Sequence, residues 1–483
     1  MWEVKLSNNN FITTKTKLGA IKGLENIKSS SFLGIPYATH KRFHPPEIIP
    51  GWSNTLDATS PGPVPPQLPS RLASVMGDFD IKYDENCLSL NIWTPGKKGD
   101  DKSVIMWIHG GAFVSGSGSL PWYDGQNFSE NQDVVVVGIN YRLGALGFLY
   151  HPDISPGNLG ILDQIAALEW IQENIEEFGG NPKDITVMGQ SAGAISAYAL
   201  LANSKAQKMF HKVILQSGRY ENFETPASAE EKSISLSKIA GVNIEKLTDL
   251  ETENILEAQT TQAIQSATFA STSIPYLPIV DGIIVPKNVE EEALRGAKDK
   301  HILIGYTQNE MHAFLSGRKD IENASTSQIE GVFKRDYDDD WKEKLEECYR
   351  RLPSGTPMEI LSLGLNNTNF AGNTNSFTQK LSERGIPTWL YRFDWSGPES
   401  SFGACHCIEL PFVFGNFDKW LPPMLAGGDV AEMKALSQVV QKAWGSFAQH
   451  GTPNDKTLIE WPPYENDRKL KLIWNRYIEV TGS

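Results

Sequence analysis

The chain has 483 residues, of which 40% are hydrophobic, and its 44 basic and 58 acidic side chains give a net charge of −14. This length is sufficient for one large core with insertions, or for two to three average domains. A chain this acidic is a poor partner for nucleic acid or an anionic membrane surface, because both carry negative charge.

Short apolar runs alternate with helical patterns along the chain, which predicts a mostly parallel sheet wrapped by helices. β-Branched runs without polar interruption are typical of strands covered on both faces. The predicted strands are, in chain order, 104–108, 134–139, 185–188, 212–215, 301–304 and 389–393. Between the second and third of these, apolar residues at helical spacing predict a helix over 161–178, which Gly179 and Gly180 terminate.

Two segments interrupt this alternation, at about 222–290 and about 312–385. Both are polar, rich in Glu and Lys, and helical in period. We interpret the whole chain, 1–483, as a single unit in which these segments are helical insertions over the edge of the sheet, where such caps commonly shape the entrance to a site. Plain surface helices would have the same composition.

A glycine-rich turn, HGGAF at 109–113, directly follows the first predicted strand. Small residues there allow backbone N–H groups to approach a substrate carbonyl. With the N–H of Ala192 they would hold the oxyanion of a tetrahedral intermediate. The alternative is a tight turn that needs glycine only for its positive φ.

The strand at 185–188 runs into GQSAG at 189–193, which fits the G-x-S-x-G pattern of a nucleophile elbow. The pattern alone is weak, but a run rich in Ala and Leu from Ala192 to Leu201 follows it as a predicted helix. A strand–turn–helix with serine at its tip predicts a strained, exposed side chain. The helix N-terminus adds a positive field where negative charge develops. Ser191 is therefore the candidate nucleophile.

A serine nucleophile needs a base, and histidine titrates near neutral pH. The chain order Ser, acid, His requires a late histidine, which leaves His312, His406 and His450. His406 is preferred because it lies in a loop after the strand at 389–393. His450 lies at the C-terminus of a predicted helix, and His312 is two residues from the best acid candidate.

The acid should follow another strand between the serine and the histidine. Glu310 follows the strand at 301–304 and is preferred, with the role of fixing the imidazole tautomer. Asp281 is the alternative, although Asp281-Gly282 is also a plain turn sequence.

The sequence Cys405-His406-Cys407 suggests a metal site, but adjacent residues of an extended segment point to opposite sides. No second Cys/His cluster completes a ligand set, so no metal and no cofactor is predicted. The remaining cysteines, Cys87 and Cys348, are isolated, and we expect all four thiols to be reduced.

These features and several flanking motifs resemble the type-B carboxylesterase family, which is related to the cholinesterases, and most of all its bacterial para-nitrobenzyl esterase branch. The motifs follow the family order from about residue 18 to about residue 465. They include FLGIPYA at 32–38, ENCLSLNIW at 85–93, FGGNP at 178–182 and QSG at 216–218. The resemblance implies an α/β-hydrolase fold and an active site at the base of a gorge. It also implies hydrolysis of short- to medium-chain or aryl esters by a Ser-His-Glu triad through an acyl-enzyme.

The resemblance assigns roles to single residues as well. Gly111 and Ala112 match the family's oxyanion donors, with Gly110 beside them, and Ser217 matches a residue near the triad. A turn serine with a purely structural role is the alternative for Ser217. Arg42 and Glu85 match a structural ion pair.

The sequence departs from the family pattern at three places, and each departure changes what we expect of the protein. Gln190 replaces the usual Glu, so a charge next to the nucleophile is lost. Secreted relatives pair the cysteine that matches Cys87 with an upstream one, which this chain lacks. The segment 70–83 has only Phe79 and Tyr83 as aromatics, so a choline-specific cation–π site is not expected.

We expect a cytoplasmic bacterial esterase that acts on a small-molecule ester as a monomer or weak homo-oligomer. Residues 1–10 lack the pattern of a signal peptide, and no run of about 18 apolar residues predicts a membrane span. Hydrolysis of an amide, a carbamate or a thioester is an alternative, since each of these reactions passes through the same kind of oxyanion. The alternative from another class is a catalytically inactive adhesion or scaffold protein on the same fold.

Overall fold

The structure, a computed structural model, describes residues 10–79 and 82–482. Residues 1–9, on which most of the signal-peptide prediction rests, lie outside this part. The strands are β1 Asn10–Thr16, β2 Gly19–Glu25, β3 Ser30–Pro36, β4 Ala38–Thr39, β5 Glu47–Ile48, β6 Leu56–Asp57, β7 Ser89–Thr94, β8 Lys102–Ile108, β9 Val135–Ile139, β10 Tyr150–His151, β11 Ser155–Pro156, β12 Gly180–Gln190, β13 Lys212–Gln216, β14 His301–Thr307, β15 Thr388–Phe393, β16 Lys471–Trp474 and β17 Glu479–Thr481.

The α-helices are α1 Ala73–Met76, α2 Gln126–Gln132, α3 Gly144–Phe148, α4 Leu159–Asn174, α5 Ala192–Ala202, α6 Pro226–Ile239, α7 Thr252–Ser266, α8 Val289–Gly296, α9 His312–Leu315, α10 Lys319–Glu322, α11 Thr326–Tyr337, α12 Trp341–Arg351, α13 Pro357–Asn366, α14 Gly372–Glu383, α15 Leu410–Phe414 and α16 Val430–His450. Short 3₁₀ helices cover Pro121–Tyr123, Ile175–Phe178, Ala206–Lys208, Ile244–Thr248, Asp338–Asp340 and Pro423–Leu425, and a π-helical turn covers Asn367–Ala371.

One large sheet runs through the molecule, with strand order β1-β2-β3-β7-β9-β8-β12-β13-β14-β15-β16-β17 and with β6 beside β2. The seven central strands, in the order β9-β8-β12-β13-β14-β15-β16, are parallel to one another. The strands outside this centre pair antiparallel along the main order. The mostly parallel sheet predicted from the sequence is confirmed.

The central strands are buried on both faces because helices cover both. In β8, Val104, Met106 and Ile108 belong to the core that includes α4 and α5. Ile105 and Trp107 belong to the opposite core, which includes α16. Successive strand residues point to opposite faces, so both faces must be apolar here, which explains the uninterrupted apolar run.

Some predicted bounds are corrected by the structure. The strand predicted at 185–188 is β12, which starts at Gly180 and continues to Gln190. Gly180 is therefore the first residue of a strand and does not belong to the end of the helix. The helix predicted over 161–178 changes to 3₁₀ geometry at Ile175 and ends at Gly179, whose φ of 82° is left-handed.

Helices occupy both segments that interrupt the strand pattern. The first holds α6 and α7, and the second holds α9 to α14. In the second segment Ile329, Phe333 and Leu361 belong to a small separate core. The predicted ion pair is present, since Arg42 Nε lies 3.0 and 3.1 Å from the two carboxylate oxygens of Glu85.

Candidate active site

Ser191 lies at a sharp turn between β12 and α5. Its φ and ψ are 57° and −121°, a conformation that L side chains rarely adopt. The turn is fixed because the Ser191 N–H donates to Gln216 O at 2.8 Å and the Ser191 carbonyl accepts from the N–H groups of Ala194 and Ile195. The Ser191 side chain lines a cavity of about 280 Å³, as the elbow pattern predicts.

The two glycines of the elbow are required by close backbone contacts. A Cβ on Gly189 would stand 2.2 Å from Gly193 O, and a Cβ on Gly193 would stand 2.0 Å from Ile108 O. Real Cβ atoms do not approach backbone this closely. The absence of side chains thus allows α5 to leave the turn directly beside the C-terminal end of β8.

The glycine-rich turn after β8 lies against this elbow. A Cβ on Gly110 would stand 3.1 Å from the Cβ of Ser191, and Gly111 and Ala112 have φ of 112° and 55°. Within residues 10–79 and 82–482, no backbone or side-chain acceptor receives the N–H of Gly111, Ala112 or Ala192. Gly111 and Ala112 also line the cavity. Free backbone donors near a nucleophile are the arrangement that stabilises an oxyanion.

His406 and Glu310 are in contact and fully buried. His406 Nδ1 lies 2.5 Å from Glu310 Oε2, while Glu310 Oε1 accepts the N–H of Thr307 at 2.7 Å. The loop that carries His406 is tied to the end of β14, because Asn309 N donates to Ala404 O at 2.9 Å and Asn309 Oδ1 accepts the Ala404 N–H at 3.2 Å. Glu310 thereby orients the imidazole ring of His406.

The alternatives weighed from the sequence lie elsewhere. His312 begins α9, and His450 is the last residue of α16. Asp281 Oδ1 accepts the N–H groups of residues 283–285, and Asp281 Oδ2 accepts from Asn158 at 3.0 Å. These bonds give Asp281 a structural role in a turn.

Gln190 contacts His406 directly. Its Nε2 lies 3.2 Å from Nε2 of His406, and a Cβ on Gly110 would stand 2.8 Å from its Oε1. The Ser191 hydroxyl forms no hydrogen bond with any residue in the described ranges. Gln190 is therefore a hydrogen-bond partner of His406 Nε2, a contact that its place in the motif did not reveal.

Ser217 and the aromatic side chains complete the surroundings of His406. Ser217 follows β13 with a φ of 52°, is buried, and lines the cavity. The rings of Phe314 and Phe370 lie 5.4 and 4.9 Å from the His406 ring, centroid to centroid. Both come from the second helical segment, so this segment contributes walls of the cavity.

Two arginines in the cavity wall were missed by the sequence analysis. Arg219 is only 7% exposed, and Arg71 is exposed. Both line the same cavity as Ser191 and His406. The position of Arg219 directly after the QSG motif at 216–218 is the signal that points to it, since that motif ends a strand beside the elbow.

No group of three or more Cys, His, Asp or Glu side chains in the described ranges is arranged to hold a metal ion. Cys405 and Cys407 are buried free thiols, as are Cys87 and Cys348. Of the helices described, none is both long and apolar enough to cross a membrane.

Comparisons with known proteins agree on one relationship. The model of the carboxylesterase family matches residues 9–477. The para-nitrobenzyl esterase of Bacillus subtilis strain 168 is 34% identical over 480 residues, which covers 96% of this chain and 95% of that enzyme. A solved thermophilic PNB esterase superposes with a TM-score of 0.86 at 32% identity and covers 97% of both chains. A solved carboxylesterase of Geobacillus stearothermophilus gives a TM-score of 0.86 at 33% identity over 98% of both chains.

Proposed function

Because the chain belongs to the carboxylesterase family and has the α/β-hydrolase fold, we propose that Ser191, His406 and Glu310 are its catalytic triad. The protein is a serine carboxylesterase, and the family and fold predicted from the sequence are confirmed. The roles of the individual residues and the range of substrates are our proposal.

The observation that carries this assignment is the contact of 2.5 Å between His406 Nδ1 and Glu310 Oε2, beside a serine at a strained turn. His406 and Ser191 line one cavity. Among the described residues, none accepts the backbone N–H of Gly111, Ala112 or Ala192, which supports their role as the oxyanion hole.

The proposed reaction has two acyl-transfer steps. Ser191 Oγ attacks the ester carbonyl carbon while His406 Nε2 takes its proton, and the carbonyl oxygen becomes an oxyanion held by the three amides. The carbon–oxygen bond to the leaving alcohol then breaks, and His406 gives its proton to that oxygen. Water repeats the sequence on the acyl-enzyme, which releases the acid and restores Ser191. Glu310 stabilises the imidazolium in both steps.

The contact between Gln190 and His406 must break before the first step. Its side-chain amide is within hydrogen-bond distance of His406 Nε2, the atom that takes the serine proton. Hydrogen bonds of a catalytic base often reach their working geometry only in the substrate complex. We expect substrate binding to replace the Gln190 contact by one from Ser191.

The cavity supports an ester of moderate size as substrate. Its volume is about 280 Å³, and aromatic residues such as Phe314, Phe370 and Trp122 line it. Such a space suits short- to medium-chain or aryl esters, and the helical insertions would set the limit on chain length. The four free cysteines support a reducing compartment such as the bacterial cytoplasm, and we propose that the enzyme acts there as a monomer or weak homo-oligomer.

The variant Ser191→Ala tests the assignment. We expect kcat for a p-nitrophenyl ester to fall by roughly 10⁴ or more, because the acyl-enzyme cannot form. The exposed serine Ser327→Ala serves as the matched control and keeps its activity. Near-full turnover by Ser191→Ala would contradict the proposal.

A further inference from the structure

Two cationic side chains stand in the wall of the catalytic cavity. Arg219 and Arg71 both line it, and the other charged groups of the described lining are Asp78 and, when protonated, His406. The chain as a whole carries a net charge of −14. The described lining of this cavity therefore carries a net positive charge, in contrast to the chain as a whole.

The two arginines come from different parts of the chain and are held by the same short segment. Arg219 Nη2 donates to Thr272 Oγ1 at 2.7 Å and Arg219 Nη1 donates to Thr272 O at 3.3 Å. Arg71 Nη1 donates to Ser273 O at 3.2 Å. Neutral oxygens thus orient both guanidinium groups without cancelling their charge.

Neither guanidinium forms an ion pair with an acidic residue within 10–79 and 82–482. The carboxylates that influence Arg219 have other partners, since Glu310 binds His406 and Asp336 binds Arg335. Asp78 is exposed and forms no ion pair with either arginine. Burying an arginine without a carboxylate is costly, and the like charge of Arg71 adds to that cost. Burial and, next, Arg71 lower the pKa of Arg219 to about 9, so Arg219 still carries its charge at neutral pH.

Arg219 also stands close to the reacting atoms. Its Cζ lies 4.6 Å from the centroid of the Phe370 ring, and that ring lies 4.9 Å from the ring of His406. One aromatic side chain therefore separates the cation from the base. Ser191, Arg71 and Arg219 line one cavity, so a substrate acylating Ser191 there shares that cavity with both arginines.

We propose that the natural substrate is an ester that also bears an ionised carboxylate, which Arg219 and Arg71 bind. This inference rests on the proposed function, because it assumes that Ser191 is acylated in this cavity. A carboxylate would supply the counter-charge that neither arginine has among the described residues, and the planar guanidinium fork suits its geometry. The carboxylate belongs either to a half-ester of a dicarboxylic acid or to the leaving alcohol.

Matched ester pairs test the proposal on the intact wild-type protein. For the acyl side, mono-4-nitrophenyl adipate is compared with 4-nitrophenyl 6-methylheptanoate, in which an isopropyl group replaces the carboxylate. For the alcohol side, 4-acetoxybenzoate is compared with 4-isopropylphenyl acetate. We expect kcat/KM for the charged member of one pair to exceed that of its neutral partner by roughly 10- to 100-fold, the range of a charge-assisted hydrogen bond.

Variants then assign any preference to the two arginines. Arg219→Met keeps the length of the side chain against Phe370 and removes the charge, and we expect the charged-to-neutral ratio of kcat/KM to fall by roughly 10-fold or more. Arg71→Met alters an exposed residue and should lower the same ratio, so it tests the proposal even if Arg219→Met does not fold. Arg468→Met, at a surface pair with Glu465, removes the same charge far from the cavity and should leave the ratio unchanged.

The outcomes separate this inference from the proposed function. Turnover of the neutral esters without preference for either charged ester would overturn the inference and leave the esterase assignment intact. A preference that survives both Arg219→Met and Arg71→Met would overturn it as well. Failure of the wild-type protein to hydrolyse any of the four esters would instead count against the proposed function.

Discussion

Two glutamates near His406 in the chain or in contact with it are buried, Glu310 after β14 and Glu409 just before α15, and their surroundings differ. Glu310 accepts hydrogen bonds from His406 and Thr307. Glu409 Oε1 accepts one bond from Gln216 Nε2 at 3.1 Å, whereas Glu409 Oε2 has no partner within the described ranges. Burial, and then the charge of Glu310, raise the pKa of Glu409 to about 8. Glu409 is therefore protonated at neutral pH.

This difference predicts a pH effect on stability. The pKa of Glu409 is raised from 4.5 in the unfolded chain to about 8 in the folded one, so its contribution to stability is fully present below pH 4.5 and is lost as the pH rises through about 8. Glu409→Gln mimics the protonated form and should remove this slope. Urea unfolding of both proteins between about pH 5 and about pH 8 measures it. Equal slopes in wild type and variant would contradict the expected ionisation.

Among the helices and strands, the close approach of α5 to β8 sets the geometry of the candidate site. Gly193 leaves no room for a side chain, since its Cβ would stand 2.0 Å from Ile108 O. Ile108 immediately precedes the turn that carries the proposed oxyanion donors. A shift of α5 away from β8 would therefore separate Ser191 from Gly111 and Ala112.

Gly193→Ala should lower both stability and activity. We expect a loss of about 1–3 kcal/mol in the free energy of unfolding, typical of overpacking, together with a fall in kcat. Denaturant unfolding and p-nitrophenyl ester turnover measure the two effects. Gly331→Ala is the matched control, because Gly331 lies inside α11 with no atom within 4 Å of its Cβ, so alanine there should stabilise the helix. Wild-type stability and turnover in Gly193→Ala would show that the close approach is not required.

The elements that the sequence predicts best are those in the centre of the sheet. The strand at 104–108 is buried on both faces, so its apolar run is unbroken and easily recognised. The N-terminal strands β1 and β2 were not predicted, because partly exposed strands such as Asn10–Thr16 alternate polar residues with few apolar ones. The start of β12 at Gly180 was missed because its first residues are polar and pair with β8 only at Lys102 before a shift in register.

The candidate site also combines residues that the sequence predicts with contacts that it does not. The sequence predicts Ser191, Glu310 and His406, since each follows a strand that ends at the same edge of the sheet. It does not predict the contact between Gln190 and His406 or the cations at Arg219 and Arg71. Those depend on which side chains from distant segments turn inward, and nothing in the local pattern of an arginine indicates burial.

At the scale of the whole molecule, one buried ion pair joins the sheet to its helices. Arg142, which follows β9, donates to Asp163 of α4 from Nε at 2.8 Å, from Nη2 at 2.7 Å and from its backbone N–H at 3.0 Å. The two side chains are 2% and 0% exposed. Removal of one partner from such a pair leaves a buried charge without compensation.

Asp163→Asn should destabilise the entire fold. We expect the free energy of unfolding to fall by about 3–5 kcal/mol, since Arg142 would lose its counter-charge in the interior. The exposed pair between Lys334 and Glu330 is the comparison, and Glu330→Gln should cause no measurable change because solvent screens that interaction. Urea midpoints of both variants provide the measurement. Equal midpoints for Asp163→Asn and wild type would contradict the role of the pair.

Labelling by an organophosphate tests directly whether Ser191 is the nucleophile of this serine carboxylesterase, as we propose. An organophosphate such as paraoxon phosphorylates an activated serine, and peptide mass spectrometry locates the adduct. We predict one equivalent of label on Ser191, in step with the loss of esterase activity, and no label in Ser191→Ala. Full loss of activity with the label on another residue, or full activity with Ser191 labelled, would contradict the account.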